Sequence, residues 1–126
     1  MYTIIEKINS KINELNHRIN QINYSEKNVK FYYADKISEL REQIKDLQAQ
    51  LIYYKNYNEN QTIDIHGATR YFIHSYLYHL INHKKQYHHK IILITGKGSF
   101  ILFNSVKKFF KDEGINYKID NYNFII

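Results

Sequence analysis

Apolar residues in the first half of the chain recur at Ile5, Ile8, Ile12, Leu15, Ile19 and Ile22, alternating steps of three and four. That rhythm places them on one stripe of a helix. A second run, Ile37, Leu40, Ile44, Leu47, Leu51 and Tyr54, repeats it. The phase slips between the two, and Ser25 in Asn23-Tyr24-Ser25-Glu26-Lys27-Asn28 offers a helix N-cap. Two readings follow: a helical hairpin, or one long helix that dimerises as a coiled coil with a local defect. Two matched stripes and a capping residue at the break favour the hairpin. In either case an apolar seam of this kind must pack on itself, on the rest of the chain, or on a partner.

After a polar, asparagine-rich stretch at 55–61, read as a linker centred on 58–61, the pattern changes. Residues 62–66 alternate as a short strand ending in Gly67. Thr69 can cap a helix to about Lys84, with Phe72, Ile73, Tyr76, Leu77, Leu80 and Ile81 inside. Residues 90–95 form a strand around the continuous apolar run 91–94, expected for a strand buried on both faces. A loop, Gly96-Lys97-Gly98-Ser99, precedes a second helix over about 100–112, and Gly114 stands where a C-cap belongs. Two short strands, 115–119 and 122–126, flank Asp120-Asn121. The predicted fold is α/β. Residues 1–57 form a helical extension, and residues 62–126 a β-α-β-α-β-β two-layer sandwich with a mixed four-stranded sheet and two helices. Right-handed crossovers make the first three strands parallel, and the closing hairpin makes the last antiparallel.

Charge sharpens this division. Residues 1–60 carry nine Lys/Arg against eight Asp/Glu, net +1, whereas residues 61–126 carry nine against four, net +5. A polyanionic partner is therefore expected at the C-terminal half. There is no cysteine, which excludes disulfides and thiolate metal sites. The longest apolar runs, such as residues 91–94 and 100–103, are far too short to span a membrane. A soluble, cytoplasmic or otherwise intracellular protein is expected. The 13 tyrosines accompany a general richness in Ile, Asn and Lys and carry no functional reading of their own.

Two features carry chemistry. Asp64 and His66, two apart at the carboxyl end of the first strand and followed by Gly67, should share one face, so that Asp64 can orient His66. Thr95, Gly96, Lys97, Gly98 and Ser99 close the second strand and open a helix. Glycines there let backbone amides approach an anion, and Lys97 adds a full charge. The spacing to the lysine is too short for a P-loop. Topology puts both features at one sheet edge, a phosphate-sized site with a histidine beside it.

In this order and spacing the motifs resemble the small MutS-related (Smr) family, which pairs Asp-Leu-His-Gly on its first strand with a glycine loop after its second. Asp64-Ile65-His66-Gly67 and Gly96-Lys97-Gly98 are the matching residues, and the resemblance covers about 62–126. Many eukaryotic members also have a helical extension in the place that residues 1–57 occupy here. Some carry a further histidine just past the loop, where this chain has Ser99-Phe100. The resemblance implies nucleic-acid binding and, in several branches, endonucleolytic cleavage of RNA or DNA. His66 would then be the general acid-base, supported by Asp64, and Lys97 with the amides of 96–99 would stabilise charge on phosphorus.

The remaining basic residues suggest backbone contacts: Lys84, Lys85 and Lys90 near the first helix, and Lys107, with Lys108 and Lys111, on the second. His79 and His83 are one helical turn apart, with His88 and His89 nearby. No third ligand is in register, so a solvated polar face is the plainer reading than zinc. No metal or other cofactor is expected. The expected partners are RNA or DNA, with residues 1–57 docking a ribosome or protein partner or a second copy of the chain. The leading alternative to a nuclease is an adaptor that binds nucleic acid or ribosomes without cleavage.

Overall fold

A computed structural model describes residues 2–23, 34–98 and 100–126. The Ser25 cap, the break it marks and Ser99 lie outside the described residues. Among these residues no helix is long and apolar enough to cross a membrane. The chain divides into two compact units, Met1–Leu51 and Ile52–Ile126.

The first unit contains helix α1 (Tyr2–Asn23) and most of helix α2 (Ala34–Asn56). Ile8, Ile12, Leu15 and Ile19 on α1, and Ile37, Leu40 and Ile44 on α2, are buried. These belong to the predicted stripes, whose other members, Ile5, Ile22, Leu47, Leu51 and Tyr54, are half-buried, and burial follows the three-four spacing because each stripe lies along one face of its helix. Exposed ion pairs Lys11–Glu14 and Lys36–Glu39 lie on the outward faces and contribute only tenths of a kcal/mol each, roughly 0.3–0.5.

The second unit is a mixed α/β fold. Strand β1 (Thr62–Asp64) leads to helix α3, built from Arg70–Phe72, a wide π turn at Ile73–Leu77, and Tyr78–Lys85. Strand β2 (Ile92–Ile94), helix α4 (Phe100–Glu113), and strands β3 (Lys118–Asp120) and β4 (Asn123–Ile125) follow. The sheet order is β1-β2-β4-β3. β1 and β2 are parallel, and β4 is antiparallel to both β2 and β3, so β1, β2 and β3 run one way, as expected. Two right-handed crossovers that advance in the same direction across a sheet put α3 and α4 on the same face. Ile63, Leu93 and Phe124 pair in one row on that face and are fully buried, with Phe110 of α4 edge-on to Phe124 at 5.3 Å.

Several expectations are corrected. β2 is fully buried on one face only, because Ile92 and Ile94, which point to the other, are half-buried. Thr69 occupies the N-cap position of α3 but its hydroxyl makes no capping bond. The last hairpin turns at Asn121-Tyr122, not Asp120-Asn121, with φ of +50° and +68°. Two consecutive positive φ values are those of a type I′ hairpin turn.

The segment read as a linker is instead tied down throughout. The Asn56 side chain donates to the Asp64 carbonyl at 2.9 Å and accepts from the Asp64 N–H at 2.9 Å, behaving as one further residue of strand on the free edge of β1. Lys84, fully buried, donates to Asn58 Oδ1 at 2.6 Å and to the Asn60 carbonyl at 2.8 Å. Gln61 donates to the Lys90 carbonyl, and His88 meets the Glu59 carbonyl. Asparagine suits such a segment because one short side chain both donates and accepts.

Burial holds the Lys84 ammonium below its ordinary pKa of 10.5. Between that lowered value and 10.5 the unfolded chain binds more protons than the folded one, so raising the pH through this window favours folding. The stability of the parent relative to Lys84→Met should therefore rise from pH 8 to pH 10 in urea titrations. A difference that does not change with pH would contradict a buried charged ammonium.

Candidate functional site

The carboxyl ends of β1, β2 and β3 lie at one edge of the sheet, and the candidate site is built there. Register pairs Asp64 with Ile94, Ile94 with Asn123 and Asn123 with Asp120 across it. Beyond Asp64 the chain makes one more ladder bond, Ile65 N–H to the Ile94 carbonyl at 2.9 Å, and then turns. The Ala68 N–H closes the turn on the Ile65 carbonyl at 3.0 Å, with Gly67 at φ +78°. Other residues rarely adopt that conformation, which explains the glycine after the histidine.

The turn presents His66 beside Asp64, as their spacing predicts. His66 Nδ1 lies 2.7 Å from Asp64 Oδ1, and the same oxygen accepts the His66 backbone N–H at 3.1 Å. A carboxylate can only accept, so Nδ1 carries the proton in the neutral ring and Nε2 is left with a free lone pair. The pair is open to solvent, His66 at 75% and Asp64 at 46% of their side-chain surfaces. Asn56 holds the backbone of Asp64 from behind, a positioning role that the asparagine-rich composition had hidden in an apparent linker.

The glycine loop meets this pair directly. Gly96 has φ +88°, and a Cβ built on it would lie 3.2 Å from His66 Cβ. Its bare backbone thus lets the two turns pass each other. Lys97 follows in a turn and is exposed, and Gly98 has open space around it. Thus Asp64, His66, Gly67, Gly96, Lys97 and Gly98 gather at one edge. Thr95 is buried, its hydroxyl turned toward the Tyr122 carbonyl at 3.4 Å, so it braces the β3–β4 turn rather than facing a ligand.

Of the outlying lysines, Lys84 is withdrawn from any phosphate by its burial. Lys85 is exposed and donates to the His89 carbonyl at 2.8 Å, and Lys90 is exposed. Lys107 stands over the Phe103 ring at 5.7 Å. The α3 histidines form neither a metal pair nor a merely solvated face. His79 Nδ1 meets the Tyr53 hydroxyl at 2.7 Å, and the His83 ring stacks on Tyr57 at 4.1 Å. Among the described residues no three metal-ligating His, Asp or Glu side chains come together. A groove of about 410 Å³ between α3 and α4 is lined by Arg70, His74, Ile101, Asn104, Lys108 and Asp112, among others.

Asn56→Ala should cost about 1–3 kcal/mol in urea denaturation, because it leaves the Asp64 N–H without its partner at a half-buried edge. Gly96→Ala should also destabilise, by roughly 1–3 kcal/mol from the positive φ, and should shift the His66 ring resonances in NMR spectra. Unmoved His66 resonances would contradict the close approach of the two turns. No family model, curated protein or solved structure matches the chain, so the reading of the site rests on its own geometry.

Proposed function

We propose that residues 62–126 are an Smr-type domain that binds nucleic acid and cleaves its phosphodiester backbone, with His66 as the proton-transfer group. The observation that carries this reading is the contact between the Asp64–His66 pair and the Gly96 turn. It sets a carboxylate-oriented imidazole next to a loop suited to an anion, in the half of the chain with nine basic against four acidic residues. The order β-α-β-α-β-β around that edge supports the family resemblance.

On RNA the chemistry balances within the substrate. His66 Nε2 takes the proton of the 2′-hydroxyl, and that oxygen attacks phosphorus. The bond from phosphorus to the 5′-oxygen breaks, and the imidazolium returns the proton to the leaving oxygen. Asp64 holds the ring tautomer and stabilises the imidazolium, while Lys97 and the loop amides at Gly96 and Gly98 offset charge on the phosphoryl oxygens.

One observation favours a second reading. Three quarters of the His66 side chain is open to solvent, a setting that suits an adaptor which holds nucleic acid without cutting it. Labelled structured and single-stranded RNA and DNA, incubated with the protein with and without EDTA, distinguish the two. The nuclease reading expects cleavage that His66→Ala lowers about 10²–10⁴-fold while binding persists. Binding with no cleavage in the parent chain would leave the adaptor.

A further inference from the structure

The turn between β3 and β4 places a tyrosine where the backbone disfavours one. Tyr122 has φ +68°, a conformation that glycine or asparagine adopts with far less strain, and the residue is 52% exposed. Strain kept at an aromatic that is half open to solvent is the kind of backbone outlier that gathers at functional positions. The position is at the candidate site, because the Tyr122 carbonyl faces the hydroxyl of Thr95, the residue before Gly96.

Tyr122 does not stand alone. Its ring lies 6.4 Å from Phe103 in an edge-on arrangement, and Phe103 is one helical turn from Phe100, which is 70% exposed just past the glycine loop. Lys107 lies over Phe103 on the next turn. From there the surface continues into a groove of about 640 Å³ lined by Lys107, Lys108, Lys111, Asp112 and Tyr117. Three lysines against one aspartate make that groove basic. From position 100 to position 111 the helix rises roughly 16 Å, enough for a few nucleotides.

We infer that this strip is a track for unpaired nucleic acid, with bases stacked on Tyr122 and Phe100 and the phosphates that follow held by Lys107, Lys108 and Lys111. Exposed ring faces beside a basic groove are the chemistry that binds single strands without reading sequence. In a duplex the base faces are already stacked and closed to the protein, so such a track discriminates against paired substrate. The inference rests on the nucleic-acid reading above and adds to it the substrate class: an unpaired segment leading to the phosphate beside His66.

Fluorescence anisotropy of the full chain with a labelled 12-nucleotide RNA, the same sequence as DNA, and the corresponding duplexes tests the track. Both single strands should bind at least about tenfold more tightly than their duplexes. Tyr122→Gly relieves the backbone strain and should keep or raise the melting temperature. It should nonetheless weaken single-strand binding about tenfold, the loss of roughly one stacked base. Phe100→Ala should act in the same direction. Lys111→Gln should lower the slope of log affinity against log salt by about 0.7. Duplex bound as tightly as single strand, or single-strand affinity unchanged in Tyr122→Gly and Phe100→Ala, would overturn the track while leaving nucleic-acid binding in place. Failure to bind any of the four probes would overturn both.

Discussion

Parallel pairing of β1 with β2 sets Asp64 beside Ile94, so the chain must leave both strands at the same height. Two turns then compete for one volume, and the competition is resolved by removing a side chain. Gly96 gives up its Cβ where His66 passes and adopts a positive φ. Everything at the edge depends on this arrangement. It brings the Cα and Cβ of His66 close to the loop, with Lys97 exposed and Thr95 buried beneath to brace the turn at Tyr122. Had any bulkier residue stood at 96, the two motifs would still lie on neighbouring strands but would be pushed apart.

The edge is held from behind by polar contacts rather than by apolar bulk. The β1 strand is three residues long and has, among the described residues, no partner strand on its outer side; the Asn56 amide pairs there instead. Lys84 reaches from α3 through the core to fasten Asn58 and Asn60, giving up solvation to do so. Buried polar anchors of this kind add little net stability, but they are costly to break and so define one arrangement of the segment. Within the same unit the Tyr53 hydroxyl meets His79 and the Tyr57 ring stacks on His83. The result is a hydrogen-bonded frame behind an open dyad.

Much of this was legible in the sequence where periodicity and glycine carry information. The two stripes of α1 and α2, the strand-helix alternation, the Gly114 cap and the meeting of the two motifs all follow from spacing and from the handedness of crossovers. Lys84 was misplaced among the surface lysines, although Ile73, Leu77, Leu80 and Lys84 continue one three-four rhythm into the core. Residue type outweighed position in that reading, and position was the better guide. Asn56 was hidden for a different reason. An asparagine that completes a sheet edge has the same local composition as one in a solvated loop, and only the tertiary register distinguishes them. The Asn121-Tyr122 turn was missed because tyrosine is a poor candidate for a positive φ, and that same mismatch gives the residue its interest.

An open histidine and an aromatic, basic strip are each incomplete for chemistry in water. At 75% exposure His66 sits in a high dielectric, where Lys97 and the loop amides would stabilise developing charge only weakly. A strand laid along Phe100, Tyr122 and the α4 lysines would change that, because the substrate itself would cover the dyad and displace water from it. Binding energy gathered remotely along the track would then be spent on desolvating the reacting phosphate and holding it against His66. In such a site affinity and turnover are not separable properties. A chain that binds short fragments through the dyad alone would process them slowly however well the imidazole is oriented, whereas a longer unpaired strand would supply the enclosure that the fold itself does not provide.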